Sequence, residues 1–247
     1  MKMTNRIIKV ELYKITHEKW LILASLCMII FSIGFIAMQK TAISYPVGIN
    51  RVVFLPMVMY GIVIATLISV FVSEEFDDGF IKNKIIANNN RSEIYIMGLL
   101  SNFIASLIVY IVTNLFTLIV SYNLFSINIS IRDYVSYFIF GVFIMLAFIG
   151  IFYLISIIVA KKSKAIILNR GLAFILLFVG MIMNGMLMLD NNFYIQFIYD
   201  LNPYGQIAQL TAMNCFDMLR CIMIDIVLFT IFSISGIKYF NEKDIIK

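Results

Sequence analysis

The chain has 247 residues, of which 62% are hydrophobic and 13% charged, with a formal net charge of +5, where a soluble domain carries roughly 45–50% and roughly 25%. No water-soluble fold of this size covers so much apolar surface, so the length goes into membrane spans and short connections within one transmembrane domain, residues 1–247. Nor does the positive charge point to nucleic acid, which calls for clustered cations and base-stacking aromatics on a soluble face.

In the amino-terminal arm, residues 1–19, Ile8, Leu12 and Ile15 share one helical face while Arg6, Lys9, Lys14 and His17 occupy much of the rest. This is the pattern of an amphipathic helix lying at a membrane interface, and its competitor is a plain extension of the first span into solvent. The arm also contains Glu11 and Glu18, and no small-residue cleavage site follows it, so the first span is expected to stay in the mature chain. Six apolar stretches follow, at about 20–38, 52–73, 95–124, 134–160, 165–189 and 219–240. Each is long enough to cross a hydrocarbon core roughly 30 Å thick, which predicts an all-α integral membrane protein with six transmembrane helices. The third and fourth exceed the ~20 residues required and should tilt, kink or project beyond the bilayer.

Cations sort strongly between the two sides. Lys2, Arg6, Lys9, Lys14 and Lys19 in the arm, Lys82, Lys84 and Arg91 in the second loop, Lys161, Lys162, Lys164 and Arg170 in the fourth, and Lys238, Lys243 and Lys247 in the tail fall on one side. Only Lys40, Arg51, Arg132 and Arg220 fall on the other. Cytoplasmic loops keep the excess of positive charge, so both termini are expected in the cytoplasm, with the basic side against anionic lipid. Trp20, Tyr45, Tyr134, Tyr137, Tyr194 and Tyr239 lie near the expected span ends, as interfacial aromatics do.

The connection over 74–94 reads as an acidic turn, a short helix and a polar turn. Phe80, Ile81 and Ile85 fall at helical spacing, Gly79 can supply a bend, and Asn90 with Glu93 forms a capping box opening the third span. Such a helix could be gripped by a soluble partner, or the segment could be a solvated loop. The connection over 190–218 has no lysine or arginine but holds Phe193, Tyr194, Phe197, Ile198, Tyr199, Leu201 and Tyr204. It is too apolar for an ordinary loop. Asn202 and Pro203 suit a helix start, so two short helices dipping toward the outer leaflet are expected, with an aromatic-anchored interfacial hairpin as the other reading.

Polar groups within spans are costly and often mark pathways. Asp225 lies about one and a half turns from Arg220 near the outer end of the sixth span, where water or a cation could satisfy it. Asn114 and Asn184 are the further residues placed on a possible translocation path, although asparagines there, like Asn102, often serve as interhelical hydrogen-bonding groups. Gly61 and Ala65 form a small-xxx-small pair suited to close packing. Cys27, Cys215 and Cys221 with the sole histidine, His17, do not make a metal site, and no P-loop sequence is present, so any ATP must be hydrolysed by another polypeptide.

Across nearly its whole length the chain resembles the small six-span permease subunits of the type-2 ABC exporter family. The most specific part is an acidic residue, a glycine, a short Lys-rich helix and an Arg-Ser turn after the second span, here Glu75, Gly79, Lys82 to Ile85 with Asn83 and Lys84, and Arg91-Ser92. Phe80 departs from the pattern, since a small hydroxyl residue is common there. The resemblance implies that this segment is a coupling helix docking on a soluble ABC ATPase, supported by the amino-terminal interfacial helix, and that re-entrant helices precede the last span. It also implies no catalysis and no cofactor on this chain, with ATP and Mg on two copies of the partner ATPase, and a second permease subunit, identical or related. A bacterial plasma membrane is implied as the location, and antimicrobial-peptide export or lantibiotic immunity as a role.

Two other classes compete. Glu74-Glu75 is similar to the glutamate pair of membrane-embedded CAAX-type proteases, but those enzymes also need histidines, and His17 alone cannot supply them. An ion-coupled carrier or channel would show internal repeats, broken midplane helices or several buried ionisable groups, and the sequence offers one, Asp225.

Overall fold

The computed structural model describes residues 15, 18–42, 47–87, 90–189, 192–215 and 217–243. Among these the secondary structure is helical, and six helices are long and apolar enough to cross a membrane. They are α1 (Lys19–Ala42), α2 (Met57–Asp77), α4 (Arg91–Tyr122), α5 (Ile131–Val159), α6 (Lys162–Leu189) and α9 (Met218–Glu242). Three short helices join them: α3 (Phe80–Ile86), α7 (Phe193–Leu201) and α8 (Pro203–Ala212). The expected amphipathic helix of the arm and interfacial Tyr45 lie outside the described residues, apart from Ile15, which is buried.

Several boundaries move from the sequence expectation, for local reasons. The second span starts at Met57, not 52, because Ile49–Arg51 forms a 3-10 turn and Val52–Pro56 continues as turns before the helix. The third starts at Arg91, with Asn90 as its cap accepting from the Ser92 backbone nitrogen at 3.1 Å. Ser130 caps α5 in the same way, from the Asp133 nitrogen.

Successive long helices run in opposite senses, so the bundle has a basic end, at Lys19, Asp77, Arg91, Lys162 and Glu242, and an opposite end. α2 is the most enclosed of the six, packing against α1, α5, α6 and α8, whereas α6 and α9 are the least enclosed. Because hydrocarbon offers no water, hydroxyls in the spans turn back to their own helix: Ser32, Ser69, Thr113 and Ser156 each donate to the carbonyl four residues earlier. Tyrosines join neighbours instead. Tyr60 donates to the Ser106 carbonyl at 2.9 Å, Tyr110 to Phe138 at 2.9 Å and Tyr153 to Tyr95 at 3.1 Å. Gly98 and Gly141 leave the room that the Tyr153 and Tyr110 hydroxyls fill, where a Cβ would collide.

Between α2, α5 and α6 sits one more polar joint. Asn169, fully buried, donates to Ser69 Oγ at 2.8 Å, Ser156 Oγ at 2.8 Å and the Phe152 carbonyl at 3.1 Å. The basic end is closed by charge. Glu74 accepts from Lys162 at 2.7 Å and from the Trp20 indole at 3.0 Å, while Lys162 lies 5.0 Å from the centre of the Trp20 ring. Arg91 donates to the Asn241 and Lys243 carbonyls at 2.9 and 2.8 Å, tying α4 to the end of α9.

Candidate functional site

Two places concentrate polar chemistry, one at each end of the bundle. At the basic end, Asp78 closes α2 and Gly79 adopts φ +70°, the left-handed conformation that costs a glycine little, so the chain reverses straight into α3. The expected apolar face of α3 comes apart. Ile81 is buried and Ile85 half-buried against the bundle, but Phe80 and Ile86 are exposed, together with Lys82, Asn83 and Ala87. Lys84 turns inward to Glu75, 3.5 Å away, with both side chains largely covered. Thus Glu75, Lys84 and Ile85 hold the helix down, and Phe80, Lys82, Asn83 and Ile86 form its outward face. Arg91 and Ser92 are not on that face. Arg91 reaches the end of α9 and Ser92 exchanges hydrogen bonds with Asn241, at 3.1 and 3.3 Å.

At the opposite end, the segment over 190–218 forms the two expected short helices. Asn202 ends α7 and caps α8, accepting from the Tyr204 nitrogen at 3.0 Å and donating to the Leu176 carbonyl of α6 at 2.8 Å. Pro203 takes the first helical position. α8 is drawn into the bundle because glycines clear its path: a Cβ on Gly61 would lie 2.6 Å from the Tyr204 hydroxyl, and one on Gly180 3.2 Å from the Gly205 nitrogen. Gly61 and Ala65 are both buried, so the small pair does permit close packing.

That insertion assembles a buried cluster that the sequence did not single out. Arg220 forms its ion pair with the fully buried Asp200, so it is not the cation that satisfies Asp225. Gln196 and Gln209 each donate to Asp200 Oδ1 at 2.8 Å. Gln206 bridges, donating to the Asp200 carbonyl at 2.7 Å and to Asp225 Oδ1 at 3.0 Å. Asp225 Oδ2, Gln206 Oε1 and Gln209 Oε1 are buried without a partner among the described residues. Tyr199 Oη donates to Asn184 Oδ1 at 3.3 Å, and burial pushes the Tyr199 phenol up to about 12. Beside it, a hydrogen bond from the Cys221 thiol holds Cys215 below the usual thiol range. In sequence, the signal is two polar pairs at helical spacing, Gln196 with Asp200 and Gln206 with Gln209, in a connection rich in aromatics.

Comparison with protein-family models gives no match, and comparison with curated proteins gives none either. Function is therefore read from the residues.

Of the three residues expected on a path, the structure brings two into the same region. Asn184 and Asp225 both meet the α7–α8 insertion, through Tyr199 and Gln206. Asn114 belongs elsewhere: it is fully buried in α4, donating to the Tyr110 carbonyl at 2.9 Å and facing the Met57 sulfur of α2. Its Oδ1 is buried without a partner among the described residues. Asn102 likewise bonds its own helix, at Gly98. Among the described residues no group of histidine, cysteine or acidic side chains is arranged to hold a metal ion.

Proposed function

We propose that this chain is the transmembrane subunit of an ATP-driven exporter for an amphipathic or hydrophobic substrate, with ATP and Mg handled by a separate soluble ATPase. The observation that carries the reading is α3. Its inner face is fixed to α2 through the Gly79 turn, Ile81 and the Lys84–Glu75 pair, while Phe80, Lys82, Asn83 and Ile86 face away from the bundle. A partner gripping that outward face would push on α2, the most enclosed helix, and so on the packing of the whole bundle. The permease performs no covalent step; it converts the partner's closure into a change of helix packing. The family resemblance supplies the rest of the proposal: two permease and two ATPase subunits, a bacterial plasma membrane, both termini in the cytoplasm, and an antimicrobial peptide of the lantibiotic kind as cargo.

The test is affinity purification of the tagged protein from its native cells in mild detergent, with mass spectrometry of what co-purifies. A stoichiometric soluble P-loop ATPase is expected. Its reproducible absence from monodisperse protein overturns the reading in favour of an ion-coupled carrier. That second reading is favoured by Asp225, a fully buried carboxylate with one oxygen unpartnered among the described residues. Substrate movement driven by an ion gradient in ATP-free vesicles would establish it.

A further inference from the structure

α1 and α6 both pack on α2, which forms the floor of a groove between them. The groove has a volume of about 350 Å3 and is lined by Trp20, Leu23, Cys27, Phe31, Ile62 and Arg170, among others. Its walls are apolar but for Thr66 and Arg170. Arg170 lies eight positions into α6 from Lys162, which places it about 12 Å along the helix from the Lys162–Glu74–Trp20 closure of the basic end. Thr66 stands eight positions from Glu74 on α2, at the same height, and accepts from Arg170 Nε at 2.6 Å. The side chain is therefore pinned within the apolar zone and is not extended back to the lysines. Arg170 is nonetheless exposed, and its neighbours on the same face of α6 are the exposed Ile167 and Phe174.

A guanidinium held at that depth on an open apolar face needs an anion or water, because hydrocarbon offers neither. Among the described residues the groove lining contains no acid, and Glu74 is taken by Lys162 and Trp20. With Nε committed to Thr66, the two terminal nitrogens present the planar fork that matches a carboxylate. We propose that the groove is a binding site for a single-chain anionic amphiphile, its acidic group on Arg170 and its apolar chain along Leu23, Cys27, Phe31 and Ile62. The volume sits at the small end for a ligand site and suits one chain rather than two. The site is independent of the cargo proposed for the exporter. The site itself rests on neither ATP nor a partner.

The experiment measures retention of radiolabelled oleate by the full chain, purified in an uncharged maltoside detergent, against radiolabelled oleyl alcohol, which has the same chain without the charge. Saturable oleate binding near one per chain is expected, at least about fivefold tighter than the alcohol, the ratio that one arginine near anionic lipid confers. Arg170→Gln should remove that difference. Cys27→Trp, which fills the apolar wall and leaves the guanidinium in place, should weaken both ligands. Equal binding of the two ligands by the native chain overturns the proposal without recourse to any variant. So does an oleate preference that survives Arg170→Gln, or a groove that binds neither ligand because a second copy covers it. Since no ATPase is present, failure here leaves the exporter reading standing, and loss of the ATPase partner leaves this site standing.

Discussion

Asp200 shows how a single side chain can carry more of this fold than its place in the sequence suggests. It is fully buried, accepts from Gln196, Gln209 and Arg220, and its carbonyl accepts from Gln206. Removing one member of a buried ion pair leaves the other charge uncompensated, which costs roughly 3–5 kcal/mol in a dry interior. Since the Arg220 side chain keeps 24% of its surface exposed, Asp200→Asn is expected to cost about 2–3 kcal/mol. It should be seen as a lower temperature for loss of monodisperse protein in detergent. Asp225 behaves differently. Among the described residues its hydrogen-bond partner is the Gln206 amide, and an asparagine would still accept from Gln206 Nε2 while offering a donor to Gln206 Oε1, which has no partner there. Asp225→Asn should therefore keep the melting temperature within a few degrees, whereas Asp225→Ala should lower it, the lost hydrogen bond costing about 1 kcal/mol of stability. If Asn is stable yet abolishes transport, the carboxylate lies on the path; if it is both stable and active, the residue is a packing element.

The short helices carry the next level of consequence. On α3 the two lysines that looked equivalent by spacing have opposite surroundings, Lys82 exposed and Lys84 folded onto Glu75. Lys82→Glu is expected to leave folding intact and to uncouple ATP hydrolysis from transport, measured as substrate-stimulated ATPase activity against export in reconstituted vesicles. Lys84→Glu places two like charges together and should lower stability as well. Ile85→Pro removes a helical hydrogen bond within a seven-residue helix, a loss of roughly 3 kcal/mol, and should uncouple while the spans still insert. Normal coupling in both Lys82→Glu and Ile85→Pro would remove α3 from the mechanism. Local signals made these helices legible in advance: Gly79 for the reversal, Asn90 and Asn202 as caps, Pro203 as a first turn. What they pack against was not legible. Phe80 and Ile81 share an apolar character that periodicity reads alike, and only the tertiary surroundings expose one and bury the other. The same limit hid the partner of Asp225, because Gln206 is 19 residues away and reaches it only once α8 has folded back into the bundle. By sequence Arg170 groups with the loop cations Lys161 to Lys164, yet α6 begins at Lys162 and carries it two turns inward.

At the scale of the whole molecule, six helices long and apolar enough to span a membrane follow from composition, while charge sets only the expected side. The structure places Lys19, Lys82, Lys84, Arg91, Lys161, Lys162, Lys164 and Lys243 at one end of the bundle and Arg51, Arg132 and Arg220 at the other. Those basic residues are not all available to hold a loop in the cytoplasm, since Lys162 is paired with Glu74, Lys84 with Glu75, and Lys243 donates to the Ile157 carbonyl at 2.6 Å. Burial also holds the Lys243 ammonium below its ordinary range. The asymmetry acts during insertion, however, before these pairs form, so the full set of lysines and arginines counts toward orientation. Alkaline phosphatase, active only outside the cytoplasm, is therefore expected to be inactive when fused after residue 243 or after residue 87, and active when fused after residue 128 in the loop joining α4 to α5. The reverse pattern would put α3 on the outer face, beyond reach of any cytoplasmic ATPase, and would end the exporter reading whatever co-purifies. The groove holding Arg170 would then open in the other leaflet. Its affinity for an anionic chain would be unchanged, because depth and charge, not side, determine what it binds.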